Sequence, residues 1–431
     1  MRKLWSIIML LNVIGINQLV SQEYPIDLEK AYQYFMETKG LSDKDSGKLW
    51  GVKLYGSMML VDPKTRFVVT NEADSLGLLE HKGNVFIGYL KPEDGIANTA
   101  TRWAGKLWMM IMWNSLSEDK LRRTSLMMHE LYHCIQDKIG LKIQWDKNGH
   151  LDEMQARIFM KMEWNALELA VFSKGKTRKR AINDALSFRN YRQKLFPGSK
   201  ENECKLEMNE GLAEYTGFKL SHLKAEEQLN YFKTITQNRK EVNSYVRSFA
   251  YVSGPLYGYL LDEVSDAWRK KLIPDSDFGE LLKDCYKIEL EDINQKSIEQ
   301  LAGLYDYETV LDFESRREEN RLVRIQSLKE KLINNLVLKI ELKEMGIQFD
   351  PRDLLPLKNY GTVYHTIRVT DEWGILDVSE DALLSDDWKT ITVSATKFKI
   401  NNNFIEGNGW NLKLNEGWRI KDEDGYKTLV K

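Results

Sequence analysis

The rhythm of hydrophobic and polar positions changes several times along the chain. Residues 4–16 form an apolar run behind Arg2 and Lys3, which ends at Asn17 and Gln18. Over 27–39, Leu28, Ala31, Tyr32 and Phe35 recur at the spacing of one helical face. From 49 to 70 the period shortens to two. Trp50, Val52 and Leu54 alternate with smaller or polar residues, and Asp62-Pro63-Lys64-Thr65 reads as a turn, which predicts two or three short strands. Residues 85–89 have strand length, and 106–113 are nearly continuously apolar, as in a strand buried on both faces.

Helical spacing then takes over. Ser115-Leu116-Ser117-Glu118 supplies an N-cap and a capping box for a helix over 118–138, with Gly140 as its stop. An amphipathic helix over 152–173 is rich in Met and Trp, and further helices are expected near 205–220, 225–236, 242–262 and 277–286. Residues 309–345 form a long charged helical stretch containing Arg316-Arg317-Glu318-Glu319. It sustains no heptad seam, so a packed helix with one solvated face is expected rather than a coiled-coil arm. Asp350-Pro351 and Leu355-Pro356 break the helical pattern. Strand-like segments follow at 362–369, 374–378, 390–394 and 398–400, with a turn at Gly407-Asn408-Gly409. The expected fold class is therefore α+β. Residues 22–115 give a small N-terminal β-sheet region, 116–308 a mainly helical core, 309–350 a long charged helix and 351–431 a small C-terminal β domain.

Charge and cysteine content narrow the function classes. Lys+Arg 62 against Asp+Glu 64 gives a net charge of -2, which argues against a nucleic-acid or anionic-membrane footprint. The positive start, the short apolar run and Ser21 before Gln22 describe a signal peptide over 1–21, and hence an exported protein that is periplasmic, cell-surface or secreted. The run is too short for a comfortable membrane span, and no later one is long enough. Three cysteines, Cys134, Cys204 and Cys285, leave at least one thiol unpaired within the chain, and a Cys204–Cys285 bridge is open. Cys134 follows His133 directly and so points about 100° away from it on a helix, which suits a packed thiol better than a ligand.

The chemistry concentrates at His129-Glu130-Leu131-Tyr132-His133. Two histidines four apart on a helix project from one face and reach one zinc ion, and Glu130 beside them is a general base for a water. A catalytic zinc site needs a third protein ligand and an open position. None of His81, His150, His222 and His365 stands at a short spacing downstream of His133, which indicates a carboxylate. Glu210 is favoured because Glu214, one turn later on the same face, is placed to hold the free ring nitrogen of a ligating histidine. Glu163 is the other candidate, read as a supporting or structural carboxylate among Phe159, Trp164 and Leu167.

His-Glu-Leu-Tyr-His followed downstream by Asn209-Glu210-Gly211-Leu212-Ala213-Glu214-Tyr215 resembles the gluzincin metallopeptidases, thermolysin-like and aminopeptidase-like enzymes with two histidines and a glutamate on zinc. Residues 98–166 also resemble a poorly characterised group of bacterial exported proteins. Those carry His-Glu-Leu-Phe-His-Arg-Ile-Gln where this chain has Tyr132, Cys134, Ile135 and Gln136. The resemblance implies one catalytic zinc on His129, His133 and Glu210, with Glu214 bracing a histidine. It also implies Glu130 as base, a peptide or protein substrate, and a Tyr or His from a downstream helix stabilising the oxyanion. Tyr251 and Tyr257 are candidates for that role, or else core aromatics of a helix kinked at Pro255. Common gluzincins place the glutamate about twenty residues after the second histidine. Here residues 134–209 intervene, and an insertion containing the 152–173 helix accounts for them. Competing readings are a zinc-binding interaction protein without turnover and a zinc hydrolase of non-peptide amides.

Overall fold

Asp27 accepts a hydrogen bond from the Lys30 N–H and starts α1 (Leu28–Asp45), which runs beyond the expected 27–39. The computed structural model describes residues 24–431 apart from 145, 240, 241, 243 and 350–353. The expected signal segment and the Asp350-Pro351 break lie outside the described residues. Six strands follow α1: β1 (Met58–Val61), β2 (Phe67–Thr70), β3 (Glu80–Lys82), β4 (Val85–Tyr89), β5 (Thr99–Trp103) and β6 (Lys106–Met112). They form one sheet in the order β3-β4-β2-β1-β6-β5, in which only the β1–β6 pair is parallel. Met58, Leu60, Val69, Met109 and Ile111 face the main core, while Met59, Val61, Val68, Trp108 and Met110 build a second core behind the sheet. That alternation is the period of two of a β-strand with both faces covered, as read for 106–113. Trp50, Val52 and Leu54 do not form the expected strand. Trp50 lies in a turn, where its indole N–H donates to Thr216 and its ring meets Tyr132 at 5.3 Å.

The helix carrying the two histidines, α2 (Lys120–Ile135), begins later than the capping box suggests. Trp113–Ser115 is a 3₁₀ turn, and the cap is Asp119, which accepts from the Arg122 N–H at 2.9 Å. An ionised cap also favours the positive end of the helix. Next come α3 (Met154–Phe172), α4 (Gly175–Leu195), α5 (Ser199–Leu206), a π turn at Glu207–Gly211, α6 (Leu212–Ser221), α7 (Ala225–Arg239), α8 (Ala250–Asp262), α9 (Phe278–Tyr286) and α10 (Gln295–Ala302). No 242–262 helix forms as expected, since α8 starts at Ala250. The α3–α4 hairpin and α5 fill the long stretch between His133 and Glu210, and α4 answers to no expected element. Among the described residues, no helix is long and apolar enough to cross a membrane.

Two glycine contacts bring the site helices together. A Cβ on Gly217 of α6 would stand 2.4 Å from the Ser125 carbonyl oxygen of α2, and one on Gly254 of α8 would stand 2.1 Å from the Gly211 carbonyl oxygen. Both clashes are with backbone, which no side-chain rotation relieves. Gly254→Ala is expected to destabilise the protein by about 1–3 kcal/mol through overpacking and to weaken metal binding, because it pushes on the turn that carries Glu210. Thermal unfolding and metal titration of the variant check this, and an unchanged melting temperature would count against the crossing as described.

The charged stretch at 309–350 is shorter than expected. α11 (Tyr307–Lys329) and a π turn at Glu330–Asn334 end it, and the β domain opens at Val337 rather than 351. β-branched and apolar residues at Val337, Leu338 and Ile340 alternate with Lys339 and Glu341, which favours a strand over a continued helix. α11 is packed rather than free, with Glu314 buried against Arg157 and Lys161 of α3. Thirteen strands follow: β7 (Val337–Glu341), β8 (Gly346–Phe349), β9 (Leu354–Leu357), β10 (Gly361–Tyr364), β11 (Ile367–Asp371), β12 (Gly374–Val378), β13 (Ala382–Leu384), β14 (Thr390–Ser394), β15 (Phe398–Asn401), β16 (Phe404–Gly407), β17 (Trp410–Leu414), β18 (Arg419–Glu423) and β19 (Tyr426–Val430). They form two sheets, β18-β19-β7-β14-β13-β10-β9 and β15-β16-β17-β12-β11-β8, around one core that includes Ile340, Val369, Leu376, Val393 and Leu412. The expected 362–369 strand is two strands in different sheets, separated where His365 turns to Asp381 at 3.0 Å. The mixed α+β class expected from the pattern is the class observed.

Candidate metal centre

His129 and His133 face inward from α2, one turn apart, with His129 almost wholly buried. Their Nε2 atoms lie 3.3 Å from each other, and Glu210 Oε2 lies 3.4 Å from the first and 3.7 Å from the second. Ligand atoms about 2.0–2.1 Å from a tetrahedral ion are separated by about 3.3–3.4 Å. The triangle therefore has the size of one face of such a coordination shell, and the three residues are placed to hold one metal ion.

The other ring nitrogens are held as well. His129 Nδ1 lies 3.0 Å from Glu214 Oε2, and His133 Nδ1 lies 3.0 Å from Gln136 Oε1. With Nδ1–H donating to each oxygen, both Nε2 lone pairs point to the shared position. Tyr231 donates to Glu214 Oε1 at 2.9 Å and so steadies the carboxylate that braces His129.

Glu210 reaches the histidines from the π turn at Glu207–Gly211. In a regular helix, residues three apart share a face. The widened turn lets Glu207 point into a buried ion network while Glu210 faces α2, and such insertions recur at functional sites. Tyr251 of α8 donates to Glu210 Oε2 at 2.7 Å and stacks its ring on His129 at 5.5 Å and 9°. Arg247 lies 3.5 Å from Glu210 Oε1 and 3.4 Å from Asp146.

Electrostatics divide the cluster by role. Burial opposes the charged form of His129, yet Glu210 and Glu214 outweigh it and hold its pKa well above the usual range. Burial would raise the Glu210 carboxyl, but hydrogen bonds with His129 and His133 pull it well below normal. Glu130 moves the other way: burial raises its pKa, and the neighbouring histidines only partly offset this. A carboxyl whose pKa is raised above its ordinary value is better suited to taking and returning a proton. A bound cation would dominate these local charges.

Tyr257 and Glu163 belong elsewhere. Tyr257 follows Tyr251 by six positions on α8, so the two rings leave the helix about 120° apart. The Tyr257 hydroxyl donates to Glu163 at 2.8 Å, and Glu163 pairs with Arg192 at 2.6 Å inside the helical core. The structure thus brings neither residue to the triangle, and of the two readings made for Glu163, supporting or structural, its contacts fit the structural one. His150 binds Glu203 at 2.8 Å, also away from the triangle. Cys204, Glu207 and Asp277 form a second group of ligand atoms, but the Arg189 guanidinium already lies among them, 2.7 Å from Glu207 and 3.2 Å from Asp277. All three cysteines are free thiols, and burial raises Cys134 to about 12, which suits the packed-thiol reading.

A cleft of about 1090 Å³ opens over the centre. His129, Glu130, Glu214 and Tyr251 form part of its lining, and so do Arg247, Tyr231 and His222, which sequence reasoning missed. Gln136 had a legible signal, since it follows His133 by three residues on the same helical face. Tyr231 and Arg247 had none, because tertiary packing alone brings them in.

No protein-family model, curated protein or solved structure matches the chain.

Proposed function

We propose that the chain is a zinc-dependent metallopeptidase of gluzincin type, exported and acting on peptide or protein substrates. The observation that carries this reading is the triangle of His129, His133 and Glu210 ligand atoms, with both remaining ring nitrogens held by Glu214 and Gln136. Bound zinc supplies a Lewis acid that polarises a carbonyl and makes water acidic near neutral pH. Glu130 accepts the proton of the attacking water and returns it to the leaving amine nitrogen. Tyr251, already a donor beside His129, turns its hydroxyl from Glu210 to the developing oxyanion. Glu214 keeps His129 in the tautomer that offers Nε2.

Elemental analysis of the purified protein tests the centre. About one zinc per chain is expected in the parent, with much less in Glu210→Ala, because removing one of three protein ligands opens the shell. A parent that takes up no zinc when it is offered, or a Glu210→Ala form that keeps it, would sink the assignment.

A further inference from the structure

The C-terminal β domain closes one side of the cleft over the metal centre. Phe349 of β8, Arg368 of β11 and Asp377 of β12 line the same space as His129 and Glu130. With its amide oriented to match, Gln348 donates to the Ile96 carbonyl (3.2 Å) and accepts from the Ile96 N–H (3.3 Å), joining the domain to the loop before β5.

The charges lining this cleft separate by position. Glu130 and Glu214 belong to the metal centre. Arg247 borders that centre, and away from it two arginines, Arg122 and Arg368, share the lining with one carboxylate, Asp377. Arg247 is engaged by Glu210 and Asp146. Arg122 is exposed, and its guanidinium has no partner among the described residues. It stands seven residues before His129 on α2, so both project from one face, about 10 Å apart along the axis. Arg368 grips Asp377 through Nη1 at 2.6 and 2.9 Å at the surface of the cleft, and its Nη2 makes no hydrogen bond among the described residues. A carboxylate is the acceptor that a guanidinium with free N–H groups fits best.

We propose that the cleft selects acidic peptides, with carboxylate side chains of the bound chain pairing with Arg122 on the α2 side and with Arg368 on the β-domain side. This rests on the peptidase reading of the same site and makes the C-terminal domain part of substrate recognition. An extended peptide rises about 3.3 Å per residue, so Arg122 meets a side chain about three residues from the scissile bond.

Binding is measured on the full chain loaded with zinc and carrying Glu130→Gln, which holds peptides uncut. The probes are two fluorescent decapeptides, identical except for Glu or Lys three residues to either side of the central bond. The Glu peptide is expected to bind at least about tenfold more tightly at low salt, and the gap narrows as salt screens the charges. Arg122→Gln and Arg368→Gln should each reduce the preference several-fold. Arg368→Lys, which keeps the charge and loses the fork, should fall between them and the parent. Equal affinities, no binding of either peptide, or a preference untouched by both glutamine variants overturns the proposal. Digestion of an unbiased peptide library by the parent separates this from the reading beneath it. Cleavage without acidic bias leaves the peptidase and removes the selectivity, whereas charge-selective binding without any cleavage does the reverse.

Discussion

Glu130→Gln is expected to lower peptide hydrolysis by about 10²–10⁴-fold while zinc content and fold stay as in the parent. The substitution keeps the shape of the side chain and removes only its basicity. Glu130 is not one of the three ligand residues, so the shell is not opened. Its burial beside two histidines holds the carboxyl above its ordinary pKa, and it lines the cleft where a substrate would lie. Steady-state kinetics on a cleaved peptide, with zinc per chain measured on the same samples, check both halves. Undiminished turnover would assign the base to another residue. Loss of zinc would make Glu130 a structural carboxylate. A zinc-loaded parent that cleaves neither peptides nor other amides would instead favour the non-catalytic reading, and one that cleaves only non-peptide amides would move the substrate class.

The parts of the site that sequence made visible are those governed by one helical period. His129 and His133 share a face of α2 by their spacing, and Glu214 follows Glu210 by one turn. The α+β class followed from changes of period, and so did β1, β2, β4, β6, β10, β11, β12, β14 and β15, whereas the other ten strands were not read. Several of the failures share a cause, a tertiary partner that the local pattern does not contain. α4 reads as a polar segment because its buried face carries Arg178, Asp184, Arg189 and Arg192 beside Ile182 and Phe188. Charged residues count against burial in any periodicity argument, yet here partners across the core satisfy them. Tyr257 was as good a candidate as Tyr251 until the rotation of α8 separated them. Arg368 sits 239 positions after His129 (368 − 129) in a different domain, and only the folded chain puts both on one cleft.

The same buried charges lead to the largest expected loss of stability, in Arg192→Met. Arg192 is fully buried, with Nη1 on Glu163 at 2.6 Å and Nε and Nη2 on Glu203 at 3.0 and 2.9 Å. Glu203 is further bound by His150 at 2.8 Å and Gln193 at 3.1 Å. Burial alone would push Glu203 up, but Arg192 holds its carboxyl far below the usual 4.5. A depressed carboxyl contributes stability that is present above about pH 4.5 and is lost as pH falls towards its folded value. Removing one partner of a buried pair leaves the other charge uncompensated, at a cost of about 3–5 kcal/mol. Methionine fills much of the volume but gives Glu163 and Glu203 no donor. Burial then acts on the Glu203 carboxyl without the guanidinium that held it down, so its folded pKa rises. Once it passes the unfolded value the sign reverses, with stability present below that pH and lost as pH rises through the new value. Thermal unfolding of parent and variant between pH 4.5 and 7 reads both effects. The variant is expected to melt several degrees lower at neutral pH and to recover towards acid, where the parent does not. An unchanged midpoint, or the same pH slope in both, would remove the network as a stabilising feature. Zinc affinity should fall with it. Glu163 accepts from the Tyr257 hydroxyl of α8 and also lies 3.4 Å from Arg189, which in turn pairs with Asp277 and with Glu207 at the start of the turn that carries Glu210. An ion network outside the His129, His133 and Glu210 triangle thus helps set where Glu210 stands.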